Sequence, residues 1–323
     1  MKRILFGTIA ICMIIVSCKK EHKSDITINS TQKLYKVGYN VGFSQQSGGF
    51  ISNSLKANGL TTTSVDTSLS NHVSVLQYAV YDSVGNRVHV IQQLLTDTAF
   101  GKYTDNLHPG KYTIAIAAGA QFLSVINGTP GGYLPAPLPT PNISADVLEY
   151  YGNGHLVAFV YDTFFKKFPL VVAAKDTSMH IALDRITAKL SVVVKDALPA
   201  TAHTMGLTSP AVPQWFFINS ATAGHIEPQF ASGATVTTAQ IGTTNFTMSA
   251  FLLYSTPITL NIYCANSGGT TLAYKTIPNL TLQANTQTIL TGNLFGGSGT
   301  TSTGGVNLGI DTAWNHTPIV KTF

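Results

Sequence analysis

The chain has 323 residues, a formal net charge of +5, and only 10% charged against 44% hydrophobic residues. So sparse a charge, without a basic stripe or a stacking motif, argues against a nucleic-acid partner. The length suffices for two ordinary domains or one large β-domain, and either could bury a core.

The first element is a secretory signal: Met1-Lys2-Arg3, then "ILFGTIAICMIIV", then the small residue Ser17. The apolar run falls short of the roughly 20 residues that a transmembrane helix needs. Ile15-Val16-Ser17-Cys18 resembles the lipobox of bacterial lipoproteins, which implies cleavage before Cys18, acylation there (palmitate included), and an outer-membrane anchor through that lipid. Two or more acyl chains anchor stably where one is marginal.

Without Lys2 and Arg3 the mature chain holds 17 basic and 14 acidic residues, a net +3. Three of these lysines fall in "KKEHKSD" beside the lipid, so the body is close to neutral. With Cys12 removed and Cys18 acylated, Cys264 has no partner and is expected as a buried thiol on a strand. No disulfide framework or cysteine-based metal site can be built.

Residues 19–32 are polar and aperiodic, which suits a tether. Beyond them Thr, Val, Ile, Gly and aromatics dominate, and no long stretch carries a helical apolar period, so the fold is expected to be all-β. The first strand is "LYKVGYNVGF", with Tyr35, Val37, Tyr39 and Val41 on one face and Leu34, Lys36 and Gly38 on the other. Phe43 closes it.

"VSVLQYAVYDSVGNRVHVIQQ" predicts a hairpin turning at "DSVGN", and "LHPGKYTIAIAA" a strand after a Pro-Gly turn. "LVAFVYDTFF" and "FPLVVAAKDTSMHIALDRITAKLSVVVKD" supply three or four more, while residues 127–142 are too rich in Pro and Gly for regular structure. A change of texture predicts a boundary near residues 178–185, followed by strands in "QWFFINS", "FTMSAFLLY", "ITLNIYCAN", "TLAYKTI" and "TQTILTGNLF". After the loop "GGSGTTSTGG", "VNLGIDTAW" is expected to return as a strand.

Catalytic patterns are missing. Glu21, Glu149 and Glu227 are the only glutamates, and a glycosidase needs two carboxylates converging on one cleft. Asp82, Asp97, Asp105, Asp176 and Asp196 read as turn carboxylates. Histidines are scattered singly, and no G-x-S-x-G elbow or phosphate loop occurs, so the expectation is a non-enzyme with no cofactor and no metal.

Three stretches together resemble the fimbrillin-like superfamily, the type V pilus subunits and anchors of Bacteroidota, including FimB-type fimbrial subunits. They are "LQYAVYDSVGNRV", "LHPGKYTIAIAAG" and "IALDRITAKLSVVVKDALP", the last carrying Leu183, Arg185, Ala188 and Lys189. "LQANTQTILTGNLF" and "VNLGIDTAW" are similar to that family's closing strands. The resemblance implies two tandem transthyretin-like Greek-key β-sandwiches, 33–182 and 183–323, behind a signal (1–17) and a lipidated tether (18–32). It further implies a cell-surface pilus subunit or anchor with a role in adhesion. Its partners would be other pilus subunits, joined by donor-strand exchange at the strand Leu34, Tyr35, Val37, Tyr39, Val41 and Phe43.

The family's usual arginine-specific cut has no target between Cys18 and Arg87, which favours a lipid-retaining anchor; Lys33, Lys36 and Lys56 could serve a different protease. The alternative is a surface glycan-binding lipoprotein of a nutrient-uptake system, with Trp215, Trp314 and Tyr133 as aromatic platforms. For Trp215 a core position is the stronger expectation.

Overall fold

Alternating burial along short segments is what builds this chain. The computed structural model describes residues 33–43, 50–51, 65–66, 69–120, 123–127, 140–152, 155–156, 160–227, 230–254, 256–296 and 319–323. Ile15, Val16, Ser17, Cys18, Lys56, Tyr133, Trp314 and the strand expected in "VNLGIDTAW" lie outside them.

The strands of the first half are β1 (Tyr35–Phe43), β2 (Phe50–Ile51), β3 (Val65–Asp66), β4 (Val75–Tyr81), β5 (Arg87–Leu94) and β6 (Lys102–Leu107). Then come β7 (Gly110–Gly119), β8 (Leu123–Asn127), β9 (Asp146–Gly152), β10 (His155–Leu156), β11 (Phe164–Val172) and β12 (Thr177–Arg185). The second half has β13 (Ala188–Val194), β14 (Thr204–Ser209), β15 (Val212–Phe217), β16 (Thr222–Glu227) and β17 (Phe230–Thr235). It continues with β18 (Phe246–Leu252), β19 (Ile258–Ala265), β20 (Thr271–Leu280), β21 (Gln287–Gly292) and β22 (Ile319–Thr322).

Seven strands run in the order β5-β4-β7-β11-β12-β1-β6. Only two rungs join β11 to β12, Phe164 opposite Arg185 and Phe165 opposite Asp184. The sheet folds over at that corner into a four-stranded and a three-stranded layer, with Val37, Tyr78, Ile114, Ile116, Phe164 and Leu183 among the side chains buried between them.

Side chains close the opposite corner, where β5 and β6 meet. The Gln93 amide donates to the carbonyls of Lys102 (2.8 Å) and Ala99 (3.3 Å), and its oxygen accepts from the Tyr78 hydroxyl and the Gly101 amide. His89 Nε2 meets Asp105 Oδ2 at 2.9 Å. Asp105 therefore corrects one expectation: it is buried on β6, not in a turn.

Other aspartates do hold turns. Asp82 Oδ1 accepts the amides of Val84 and Asn86 around Gly85, whose φ of +90° suits a residue without Cβ.

Two four-stranded layers form the second sandwich, β18-β13-β21-β22 and β17-β14-β19-β20. Leu190, Met205, Leu207, Leu260 and Ile262 fill it, and Cys264 is fully buried on β19, as expected. Asp196 Oδ2 accepts the amides of Leu294 and Phe295, tying the end of β13 to the loop after β21. A third sheet runs β10-β9-β15-β16, with β8 also on β9, so strands from both halves share it. It covers the outer face of β4 and β7, which explains why every residue of β4 is buried. Leu34 to Phe323 form one compact unit, all-β and built from sandwiches.

Candidate functional site: the seat of the first strand

β1 lies inside the three-stranded layer, hydrogen-bonded on both edges. It runs parallel to β12, with Val37 opposite Thr177 and Phe43 opposite Leu183, and antiparallel to β6, with Tyr39 opposite Tyr103. The predicted alternation holds: Val37, Tyr39 and Val41 are buried, while Lys36 and Asn40 are exposed. Each large buried side chain contributes roughly 1.5–3 kcal/mol of transfer free energy. Leu34 precedes the strand and is 49% exposed, so it adds little to the seat.

Aromatic contacts set the register. Tyr39 stacks on Tyr103 of β6 at 6.2 Å and meets Tyr78 of β4 at 6.3 Å, while Phe43 lies 4.3 Å from Phe164 of β11. Backbone clasps hold the ends: the Lys36 amide donates to Asp176 Oδ1 at 2.9 Å, and the Val41 amide to the Gly101 carbonyl at 2.8 Å.

The seat also has weak points. Gly38 and Gly42 leave β1 without side chains against Ser178 and His180 of β12, and glycine weakens a strand interior. The Tyr39 hydroxyl is buried with no hydrogen-bond partner among the described residues, an arrangement that costs about 1–3 kcal/mol. Burial, reinforced by Asp105, raises its pKa above the ordinary tyrosine range and keeps it protonated.

Sequence reasoning found β1 and its inward face but missed the β6 wall. "KYTDNL" reads as turn chemistry, and only the alternation of Tyr103, Asp105 and Leu107 signals a strand.

Trp215 is 3% exposed on β15, so it belongs to the core and offers no platform. Beside it, burial pushes the Glu149 carboxyl up to about 7, against the opposing pull of the Trp215 indole. Among the described residues no three His, Cys, Asp or Glu side chains gather where a metal could be held.

This geometry defines an all-β sandwich protein whose first strand occupies an inserted, two-edged seat. No family model and no curated protein matches the sequence. Solved structures that align with it include a proposed adhesin from Bacteroides ovatus, at 9% identity over 75% of this chain and 77% of that one, TM-score 0.49. Two others are the fimbrial anchor protein Mfa2 from Porphyromonas gingivalis (13%, 75% and 82%, TM-score 0.41) and a fimbrial assembly protein from Parabacteroides distasonis (10%, 80% and 91%, TM-score 0.39).

Proposed function

We propose that the protein is a non-catalytic component of a cell-surface pilus, a subunit or lipid-retaining anchor held to the outer membrane through Cys18. As a stalk subunit it would join its neighbours by strand exchange at the β1 seat; as an anchor it keeps β1 in place there. One observation carries this reading: the first strand of the fold sits between β12 and β6, so its departure leaves a groove with two unpaired edges and a vacant aromatic pocket. An incoming strand would recover main-chain hydrogen bonds on both sides and bury alternate side chains.

Cleavage chemistry favours the anchor. A cut after Lys33 or Lys36 leaves Val37 to Phe43 attached in the sheet, and between Phe43 and Arg87 the only lysine or arginine is Lys56. A cut at Arg87, whose guanidinium lies 3.2 Å from the buried Asp146 carboxylate, would sever β4 from β5.

N-terminal analysis of the native protein tests the assignment. An anchor yields chains that begin at acylated Cys18 and retain β1. Lipid-free chains that begin beyond β1, recovered from sheared fibres, would make it a stalk subunit; lipidated monomers with no associated fibre would contradict the pilus role.

A further inference from the structure

A cleft of about 620 Å3 opens where the β11–β12 corner faces the β15–β16 turn and the second sandwich. That volume falls within the range of roughly 300–1,000 Å3 typical of ligand sites. Phe165 and Phe216, each 5% exposed, meet edge to face at 4.9 Å behind its wall, and half-buried Ala223 and Tyr254 present its apolar surface. Against these stand Lys166, Lys167, Asp184 and Arg185.

The charges there are unevenly matched. Lys166 Nζ pairs with Asp184 Oδ2 at 2.8 Å, and Arg185 Nε with Asp162 Oδ1 at 2.8 Å. Lys167 donates to the Asn219 carbonyl on the turn between β15 and β16. Among the described residues lining the cleft it is the cation without a carboxylate partner, and an ammonium has three N–H donors to offer.

We infer that this cleft binds an acidic oligosaccharide, with a sugar carboxylate on Lys167, hydroxyls on the Lys166–Asp184 pair and a ring face against the apolar wall. An extended peptide fits less well. Beyond Phe165 no strand among the described residues pairs with the β12-facing edge of β11, and Lys166, Lys167 and Pro169 lie along it, residues that blunt an edge against strand addition. The site gives the protein a ligand of its own and does not depend on strand exchange at β1.

Titration calorimetry of the full chain with tri-galacturonate, a neutral galactotriose, and a hexapeptide bearing a free carboxyl terminus tests the assignment. Tri-galacturonate is expected to bind saturably, with the neutral sugar about tenfold or more weaker, as the loss of one charge-assisted hydrogen bond requires. Lys167→Ala is expected to lose about the same factor and Lys167→Arg to restore most of it. Ala223→Trp, which fills the cleft, is expected to abolish binding while leaving the circular dichroism spectrum unchanged. No saturable uronate binding, undiminished binding by Lys167→Ala, or tighter binding of the peptide than of the sugar would overturn the assignment. The Lys167→Ala protein should still form any multimers that the wild type forms, which separates this site from the β1 seat.

Discussion

Arg185 forks onto Asp162, Nε to Oδ1 at 2.8 Å and Nη2 to Oδ2 at 3.1 Å, with its side chain only 1% exposed. Its Nη1 donates to Asn285 Oδ1 at 3.2 Å, and its guanidinium lies 4.9 Å from the Phe164 ring centre. Asp162 precedes β11, Arg185 ends β12, and Asn285 leads into β21 of the second sandwich. One side chain thus fastens the β11–β12 corner of the first sandwich to the second sandwich.

Removing one partner of a buried pair strands the other, at a cost of about 3–5 kcal/mol. Arg185→Ala is therefore expected to lower the urea midpoint by that equivalent. Arg185→Lys should recover only part of it, because an ammonium cannot make the bidentate fork. A midpoint for Arg185→Ala within about 1 kcal/mol of wild type would show the fork to be dispensable.

At the β1 seat, Tyr39→Phe removes a buried hydroxyl that has no partner among the described residues while keeping the ring against Tyr103. This substitution is expected to stabilise the protein by about 1 kcal/mol. Tyr39→Ala should cost about 3–5 kcal/mol through the lost aromatic contacts and the cavity. Urea unfolding of both variants checks the pair, and destabilisation by Tyr39→Phe would mean that the hydroxyl is satisfied.

The Glu149 carboxyl has a pKa of about 7 in the fold against an ordinary 4.5. The folded state therefore holds the proton more tightly, so the stability it contributes is fully present below pH 4.5 and is lost as pH rises to about 7. The loss amounts to about 3 kcal/mol at most. Thermal melts across that window should show a falling midpoint in wild type and a flatter profile in Glu149→Gln.

Much of the architecture was legible because β1, β4, β7, β13 and β19 alternate or run apolar between turn residues. The inward face Val37, Tyr39 and Val41 followed directly from that period. What escaped was tertiary in origin. "DVLEYYG" and "KYTDNL" carry Asp, Glu, Asn and Gly, residues depleted in strands, yet they form β9 and β6, where Glu149 and Asp105 are buried. The four-residue β22 is too short for any periodicity to show, and it is held by parallel pairing to β21. The Arg185 fork joins residues 23 and 100 positions apart, a proximity no local pattern encodes.

If Cys18 carries the proposed lipid anchor, Cys18→Ala is expected to block acylation and release the protein from outer membranes. Fractionation with metabolic palmitate labelling reads both effects. Equal retention of wild type and variant would rule out a lipid anchor at Cys18.

The proposed exchange at β1 can be tested directly by inserting a specific protease site after Phe43, cutting the folded protein, and adding excess isotope-labelled peptide spanning Leu34 to Phe43. Mass spectrometry under native conditions then follows the label. Incorporation into the cut but not the uncut protein, with the second sandwich still folded, is the expected result. A cut protein that never takes up labelled peptide, or that unfolds as a whole when β1 leaves, would contradict the assignment of β1 as the exchangeable strand.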